Sequence, residues 1–432
     1  MGNRRRSEAD IGGRSGLIGR LRIALILALI PSFSQGDTTI MPSRTNAAIA
    51  AGDRPVRIVG FGDSITGVYY HTGGRRAWPE MLGVALQRIY PDAQIQIINA
   101  GVSGGKTSSA LTRMDKDVLA HQPDLVVVMF GMNDVAAHPP DMYEANLRTI
   151  IEKVRAAGSE VILCTPNAIN QGDERRPLAK LGEYADIVRG LGGELDLPVV
   201  DLHAQFGAIQ TEDARRWTTI MSDAIHPNMR GHELFAEQIA QAITGQEVSL
   251  ADAGPLPGLP HVQAALQEGR PLRILAMPPY DALIGPAIKA RFPQAQCDVV
   301  TWETAGQSLA QIEAEAKARG WFAFNQNPEL PRPTLAIVAV PASAVAPDFE
   351  RFYRSYTWVL NWSLSFGPAQ WDALAVLPEV TQPDLIDEEH ERAAWALEVV
   401  LGQDIPYLTR PEGEQRGAGE LLHDWLREQL QQ

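Results

Sequence analysis

The chain has 432 residues, a length that suggests two or three domains and excludes a single small module. Hydrophobic residues make up 45% and charged residues 21%, which is close to the average of soluble globular proteins and excludes a polytopic membrane protein and a mainly disordered chain. The formal net charge of −14 argues against a nucleic acid or an anionic membrane as the main partner.

Residues 1–36 have the pattern of an export signal. Several arginines precede eight uninterrupted apolar residues at 23–30, and small or polar residues follow. Eight residues are too few to cross a bilayer, which takes about 20. We therefore predict a signal peptide cleaved between roughly Ser34 and Ala51, and a secreted or periplasmic protein. An uncleaved anchor or a mis-assigned start is the alternative, because the charged segment before the apolar run is long.

Five short apolar segments rich in Val and Ile follow a polar, Ala-rich lead-in at residues 37–55. Successive segments are separated by enough chain for a crossover helix, which is the pattern of a buried parallel sheet. The predicted strands are 56–61, 94–99, 125–130, 160–165 and 198–202, and the closing helix is predicted over 231–243. Residues 56–245 are therefore predicted to form a doubly wound α/β domain with a parallel sheet.

A second α/β domain is predicted over residues 261–432, after a linker rich in Pro and Gly at 246–260. Its sequence resembles a degenerate copy of the first domain. Segment 57–59 is echoed by 273–275, and segment 90–94 by 292–296. Generic α/β patterning can produce part of this likeness, so internal duplication and chance both stay open.

Reactive side chains follow the predicted strands of the first domain. Ser64 comes just after the first strand, at the end where parallel α/β sheets open their crevice. A serine hydroxyl needs a base, and the candidate is His226, with Asp223 three residues earlier to orient its imidazole. Acyl transfer also needs donors for an oxyanion, and these are predicted after the second strand, at Gly104, and after the third, at the Asn133 amide.

This ordered set resembles the SGNH (GDSL-type) hydrolase family, whose four blocks supply Ser, Gly, Asn and His in that order on a flavodoxin-like, three-layer α/β/α domain. The matching segments are GDSIT at 62–66, GVSG at 101–104, GMND at 131–134 and DAIHP at 223–227. The resemblance implies that Ser64 is the nucleophile and that its own N–H forms the oxyanion hole with Gly104 and Asn133. It implies that Asp223 and His226 complete the triad, with no cofactor and no metal.

The resemblance and the predicted export favour a secreted serine esterase that hydrolyses short-chain esters, acetyl esters above all, on carbohydrate or a small molecule. A lipase or lysophospholipase that acts on longer acyl chains is the alternative. A minor alternative is a nucleotide binder, because residues 100–107 nearly spell a phosphate-binding loop. Neither a nucleic acid partner nor stable membrane insertion is expected.

The second predicted domain lacks this machinery, and we read it as a degenerate SGNH-like domain that packs on the first. Its first strand is followed by MPPYD at 277–281, without serine, and its last block reads RPEG at 410–413, without histidine. An aromatic-rich stretch within it either stacks on sugar rings or fills a core or an interface; its members are Tyr356, Trp358, Trp362 and Trp371.

The remaining reactive side chains are interpreted as structural. Asp63 and Asp134 are expected to shape their loops, and Cys164 and Cys297 to be buried thiols. Several histidines lack a carboxylate at a useful spacing and are expected to be structural or solvated, with His232 as a candidate for supporting the site; they are His71, His121, His138, His203 and His232.

Overall fold

The computed structural model describes residues 42–170 and 174–430, so the predicted signal peptide at 1–36 lies outside the described residues. The N-terminal half contains a parallel sheet in the order β2-β1-β3-β4-β5. Its strands are β1 Val56–Gly62, β2 Ile95–Gly101, β3 Leu125–Met129, β4 Glu160–Cys164 and β5 Val199–Val200. Central strand β3 is buried along its whole length, which explains its run of Leu and Val.

Helices cover both faces of this sheet. They are α1 Ser43–Ala51, α2 Trp78–Ile89, α3 Thr107–Asp117, α4 Pro140–Ala156, α5 Leu178–Glu194, α6 Leu202–Glu212, α7 Ala214–Ile220 and α8 Met229–Thr244. Helices α1 and α2 pack against α8, whereas α4 packs between α3 and α5. Right-handed crossovers from a sheet whose strand order reverses at β1 place these two groups on opposite faces. The predicted three-layer α/β/α fold is confirmed.

The C-terminal half repeats the strand order of the first half as β7-β6-β8-β9-β10. Its strands are β6 Leu272–Ala276, β7 Cys297–Thr301, β8 Leu335–Val338, β9 Asp372–Val376 and β10 Tyr407–Leu408. Its helices are α9 Pro260–Gln267, α10 Tyr280–Arg291, α11 Leu309–Arg319, α12 Trp321–Gln326, α13 Phe349–Ser363, α14 Pro378–Thr381, α15 Asp387–Leu401 and α16 Ala418–Gln429. Among the described residues, none of the helices is long and apolar enough to cross a membrane.

The segments that repeat in sequence also make the same backbone hydrogen bonds. The N–H of Ala93 donates to Tyr90 O at 3.0 Å, and the N–H of Ala295 donates to Phe292 O at 2.9 Å. Likewise, the bond that enters the first strand, from Val56 N to Gln94 O, recurs in the second half from Leu272 to Gln296, and both measure 2.8 Å. The second half therefore shares local turns with the first as well as strand order.

Several predicted boundaries are wrong by a few residues, and side-chain caps explain two of them. The fifth strand is only two residues long instead of 198–202, because the Asp201 carboxylate accepts a bond from Ala204 N and starts α6 at Leu202. Helix α8 begins two residues before the predicted 231, because the Asn228 side chain caps Gly231 N. The lead-in predicted at 37–55 contains helix α1.

Of the two cysteines, Cys164 is buried as predicted, whereas Cys297 is only half-buried. The prediction of a buried thiol is wrong for Cys297 because β7 lies at the edge of its sheet, next to β6, in the part of the chain that the structure describes. The apolar pattern around Cys297 does not distinguish an edge strand from a central one.

The two halves belong to one compact unit and share buried polar contacts. Arg76, from the loop between β1 and α2, makes two bonds to the Asp404 carboxylate, at 2.5 and 2.9 Å, and their side chains are 9% and 1% exposed. The N–H of Met229, at the start of α8, donates to Gly402 O at 2.8 Å. A buried charge left without its partner costs several kcal/mol, about 3–5, so this pair opposes separation of the halves.

Candidate active site

The turn after β1 presents Ser64 at the carboxyl edge of the first sheet. Gly62 is required there, because a Cβ on it would lie 2.0 Å from Thr66 Oγ1 and 2.5 Å from Met129 O. The Asp63 carboxylate accepts a bond from Ile65 N at 2.9 Å and so holds the turn, as the sequence suggests. Ser64 is 8% exposed.

Residues 221–228, here named the base loop, carry His226 and connect α7 to α8. A short antiparallel bridge joins Met221 to Pro227, and the N–H of Ser222 donates to His226 O at 2.9 Å. The loop ends at Asn228, the N-cap of α8. His226 therefore lies on a loop before the last helix of the first half, as its following proline predicts.

Ser64, His226 and Asp223 form a connected line of hydrogen bonds. Ser64 Oγ lies 3.0 Å from His226 Nε2, and His226 Nδ1 lies 2.8 Å from Asp223 Oδ2. The other carboxylate oxygen, Oδ1, accepts the N–H groups of His226 and Ile225, at 2.8 and 2.9 Å. Because an ionised carboxylate only accepts, Nδ1 carries the proton and Nε2 is free to take the proton of Ser64.

The electrostatics of the pair suit a general base. Burial opposes the charge of His226, but the charge and hydrogen bond of Asp223 outweigh burial and raise the pKa of the imidazole. Burial also opposes the charge of Asp223, yet His226 and the donated hydrogen bonds hold its pKa well below the usual range. Asp223 is therefore ionised when the neighbouring imidazole becomes protonated.

The loops after β2 and β3 meet the Ser64 turn. Asn133 Nδ2 donates to Gly105 O at 3.1 Å and approaches Asp63 Oδ2 at 3.3 Å. Arg176 approaches the other atom of that amide, Asn133 Oδ1, at 3.3 Å, and so fixes which way the amide faces. Gly104 is exposed on the same loop as Gly105 and has a left-handed φ of 70°. The structure thus gathers the predicted Ser, Gly and Asn blocks at one edge of the sheet.

His71 is a site residue that sequence reasoning missed. Its ring stacks on His226, with centroids 4.7 Å apart and planes 9° from parallel, and its Nε2 donates to Ser64 O at 3.1 Å. Burial and the neighbouring imidazoles, His226 and His232, lower the pKa of His71 well below its ordinary value. His71 is therefore neutral and contacts both partners of the Ser–His pair.

His232, the predicted supporting histidine, is buried behind His71. The two ring centroids are 5.4 Å apart, and His232 Nδ1 accepts the N–H of Trp78 at 2.9 Å. Burial, followed by the charge of His226, lowers the pKa of His232 to about 3. It is neutral and ties the start of α2 to α8.

Tyr70 is a second missed residue, and it joins the site to the C-terminal half. Its hydroxyl donates to Asp223 Oδ2 at 3.2 Å, the same oxygen that accepts His226 Nδ1. Its ring is buried in the hydrophobic core of the C-terminal half and stacks on Trp321 at 5.4 Å. The signal available in the sequence is the Tyr-Tyr-His run that follows the Ser64 turn within a few residues.

Tyr70 belongs to a group of aromatic side chains, here named the aromatic wall, that flanks the site. The wall combines residues after the Ser64 turn with residues of the C-terminal half: Tyr69, Tyr70, Trp321, Trp358, Trp362 and Phe366. Phe366 is 38% exposed, and its ring lies 5.4 Å from Tyr69. The Tyr69 hydroxyl accepts the N–H of Ser103, next to Gly104, so the wall begins at the predicted oxyanion loop.

The aromatic-rich stretch noted in the sequence contributes partly to the core of the C-terminal half and partly to the aromatic wall. Tyr356 and Trp371 are core residues, 0% and 2% exposed. Trp358 and Trp362 are half-buried and stack on each other at 4.7 Å in the aromatic wall.

The segment 100–107, which nearly spells a phosphate-binding loop, has another role in this structure. Both the N–H and the hydroxyl of Thr107 donate to Asp134 Oδ1, at 2.9 and 2.5 Å. These two bonds hold the start of α3 against the loop after β3, so Asp134 shapes its loop as expected. Across residues 42–170 and 174–430, no group of three or more His, Cys, Asp or Glu side chains is arranged to hold a metal ion.

Comparisons with known proteins relate this part of the chain to esterases. A family model described as GDSL-like Lipase/Acylhydrolase family matches residues 61–234, which contain all four blocks. An acetylxylan esterase of Geobacillus stearothermophilus is 30% identical over 173 residues, which are 37% of this chain and 76% of that protein. A thioesterase 1/protease 1/lysophospholipase L1 of Escherichia coli strain K12 is 26% identical over 183 residues, 42% of this chain and 80% of that protein. A solved lipase/acylhydrolase from Enterococcus faecalis shares 28% identity, with a TM-score of 0.39 over 45% of this chain and 97% of the other.

Tyr70→Phe is expected to raise the pKa of His226 further. The substitution removes the hydroxyl dipole that stabilises the Asp223 carboxylate, so the carboxylate attracts the imidazolium more strongly. An NMR titration of the imidazole resonances measures this change. Tyr280→Phe is the matched control, because that buried tyrosine bonds Thr381 in the C-terminal half. A pKa of His226 that stays constant or falls in Tyr70→Phe would contradict the role given to this hydroxyl.

Proposed function

Since the chain belongs to the GDSL-like lipase/acylhydrolase family and is a serine hydrolase that acts on esters, we propose that it removes short acyl groups, acetyl above all, from carbohydrate esters by means of Ser64, His226 and Asp223. The observation that carries this proposal is the line of bonds from Ser64 Oγ to His226 at 3.0 Å and from His226 to Asp223 at 2.8 Å.

The reaction follows from this geometry in two steps. His226 Nε2 takes the proton of Ser64 while Oγ attacks the ester carbonyl, and Asp223 stabilises the resulting imidazolium. The imidazolium then protonates the leaving alcohol, and the acyl group stays on Ser64. Water deprotonated by the same nitrogen attacks the acyl-enzyme and releases the acid. No bound cofactor enters these steps.

We assign the developing oxyanion to the N–H groups of Ser64 and Gly104 and to the side chain of Asn133. Arg176 and Gly105 O keep the Asn133 amide turned so that Nδ2 faces the carboxylate of Asp63, the residue before Ser64. The long 3.3 Å contact from this nitrogen to Asp63 Oδ2 is the one that a substrate oxygen replaces. Donors fixed in advance are effective because they need no reorganisation as the charge develops.

Two observations support an acetyl ester of a carbohydrate as the substrate. The Geobacillus relative is named an acetylxylan esterase. The aromatic wall flanks the site with partly exposed rings, and such rings suit the apolar faces of sugars on the alcohol side of the ester. The Escherichia coli relative, whose name includes lysophospholipase, supports a second candidate, which is hydrolysis of longer acyl chains.

Ser64→Ala is expected to abolish ester hydrolysis, because no other hydroxyl contacts His226 Nε2 among the hydrogen bonds of the described residues. The measurement is turnover of 4-nitrophenyl acetate, butyrate and palmitate by the wild-type protein and the variant. The proposal expects the highest kcat/KM on acetate. A preference for palmitate would favour the longer-chain candidate, and undiminished turnover in Ser64→Ala would reject the serine mechanism.

Phe366→Ala is expected to raise KM for an acetylated xylo-oligosaccharide about three- to tenfold, the scale of one lost aromatic contact. KM for 4-nitrophenyl acetate should stay unchanged, because its alcohol carries no sugar. Phe322→Ala is the matched control, since Phe322 is similarly exposed, at 36%, and contacts Trp321 and Trp362 but not Tyr69 or Tyr70 in the ring contacts of the structure. If Phe366→Ala and the wild type have equal KM values on the oligosaccharide, the proposal that the aromatic wall binds the substrate is rejected.

We also propose that the protein is exported and that cleavage occurs before α1. The helix is packed on the first domain, because the Thr45 hydroxyl donates to Glu160 Oε2 at 2.6 Å and Ile49 is 1% exposed. Because α1 is packed in this way, we expect the signal peptide to be cleaved in the first part of the predicted range, between roughly Ser34 and Pro42. N-terminal sequencing of protein recovered from the periplasm or the medium tests the proposal. A full-length cytoplasmic product, or a chain that starts after Ala51, would contradict it.

A further inference from the structure

Helix α13 of the C-terminal half lies against the base loop of the N-terminal half. Asn361 Nδ2 donates to Ser222 Oγ at 2.9 Å, immediately before Asp223 in sequence. Two helical turns earlier, the Tyr353 hydroxyl donates to Thr219 O at 3.0 Å and accepts from Asn228 Nδ2 at 2.9 Å. The helix thus bonds both sides of the loop and the residue next to the catalytic carboxylate.

All four side chains in these contacts are inaccessible to solvent. Ser222, Asn228, Tyr353 and Asn361 are each 0% exposed. A buried polar group that loses its partner destabilises the protein, so the bonds made by Ser222 Oγ, Asn228 Nδ2, the Tyr353 hydroxyl and Asn361 Nδ2 favour this loop position over a shifted one, although Asn361 Oδ1 is buried without a partner among the described residues. Tyr353 and Asn361 are eight positions apart, a spacing that places both on one face of the helix, so one rigid element sets both bonds.

The exposed part of the loop has weak support of its own. Ala224 is exposed, and within the loop the backbone bonds run from Ser222 and Asp223 to His226 O, at 2.9 and 3.3 Å. These bonds set the shape of the turn, but they do not fix its distance from Ser64. The turn is connected to elements outside it by the contacts to α13 and the stacking on His71, together with the Tyr70 hydroxyl on Asp223 and two long bonds of 3.3 Å, from Asn167 Nδ2 to Ile225 O and from Asn170 N to Ala224 O.

We propose that α13 is the positioning element for His226, with Tyr353 and Asn361 as positioning residues that act through the base loop. The inference rests on the proposed serine mechanism for its consequence on rate. The C-terminal half, which carries no equivalent of the Ser64 or His226 blocks, is by this proposal part of the catalytic apparatus of the first half. Neither side chain makes a hydrogen bond to Ser64, His226 or Asp223 among the described residues, so both act through the position of the loop.

The size of the effect follows from the sensitivity of proton transfer to geometry. A misplacement of about 1 Å in a reacting group costs up to about 10²-fold in rate. Tyr353→Phe keeps the ring and removes the hydroxyl that connects α13 to Thr219 O and Asn228 Nδ2, while the direct bond from Asn228 Nδ2 to Thr219 O, at 2.9 Å, stays in place. It should lower kcat about tenfold or more on 4-nitrophenyl acetate while KM changes less than about twofold, because the substrate contacts are intact.

Tyr356→Phe is the matched control. Tyr356 lies on the same helix, is 0% exposed, and has a buried hydroxyl without a hydrogen-bond partner among the described residues. Its substitution should leave kcat unchanged. Rates are expressed per active site after titration with a serine-directed phosphonate, so that loss of folded protein does not imitate loss of kcat.

Ser222→Ala and Asn361→Leu test the second contact independently. If Asn361 acts through Ser222, the double variant should have the same kcat as the more impaired single variant, instead of the product of the two effects. Multiplicative effects, or single variants with the kcat of the wild type, would overturn the role of Asn361. The serine variant removes only a hydroxyl and keeps the test available if the leucine variant does not fold.

The Nδ1 proton of His226 provides a readout that does not depend on any ester. A proton shared between an imidazole and a carboxylate gives a far-downfield NMR signal. Tyr353→Phe should shift or broaden this signal, and Tyr356→Phe should not. An unaltered signal together with an unaltered kcat would overturn the proposal. If the proposed serine mechanism itself is wrong, the result is different, because ester turnover then persists in Ser64→Ala.

Discussion

The hydrogen bond between His226 Nδ1 and the Asp223 carboxylate is the interaction on which the rest of the site depends. A carboxylate whose side chain is only 11% exposed must have its oxygens satisfied inside the protein. Four donors meet this need: two backbone N–H groups of the base loop, the imidazole itself, and the Tyr70 hydroxyl. The first two fix the shape of the loop, the third fixes the tautomer, and the fourth extends the network into the aromatic wall. A single ionised group thus connects local backbone geometry, proton position and the packing of the C-terminal half.

Much of the arrangement follows from local sequence, because its physical causes are local. Alternating apolar segments and crossover lengths specify the parallel sheet, and the carboxyl ends of neighbouring strands must meet at one edge. The blocks that contain Ser64, Gly104 and Asn133 follow three such strands, so their convergence is a consequence of topology. The spacing of Asp223 and His226 is likewise contained in one turn. The strand ends differed from expectation where a side chain, such as that of Asp201, capped the next helix earlier than the apolar pattern indicates.

The remaining parts of the site could not be read from the sequence because they are contacts between distant segments with no periodic signature. His71 has no carboxylate near it in sequence, yet it packs between the backbone of Ser64 and the ring of His226. The partner of Ser222 on α13 is 139 residues away, and the partner of Asn228 on that helix is 125 residues away. The sequence also does not distinguish Trp358 from Trp371, because both stand in similar aromatic-rich segments. In the structure, Trp358 lies in the aromatic wall and Trp371 in the core. Which face of α13 meets the first half depends on how two complete sheets dock, and one-dimensional patterns do not contain that information.

The burial of Tyr70 in the core of the C-terminal half has a consequence for the order in which the protein matures. A ribosome releases the chain from its N-terminus, so the Ser64 turn, Tyr70 and the base loop are all made before Trp321 and α13 exist. During that interval the ring of Tyr70 has no core to enter, and the polar groups of Ser222 and Asn228 have no tertiary partner from α13. The unfinished polypeptide therefore contains Ser64, Asp223 and His226 but not the C-terminal residues that pack on Tyr70 and on the base loop. The complete set of contacts around Tyr70, Ser222 and Asn228 therefore requires that the C-terminal half has been made.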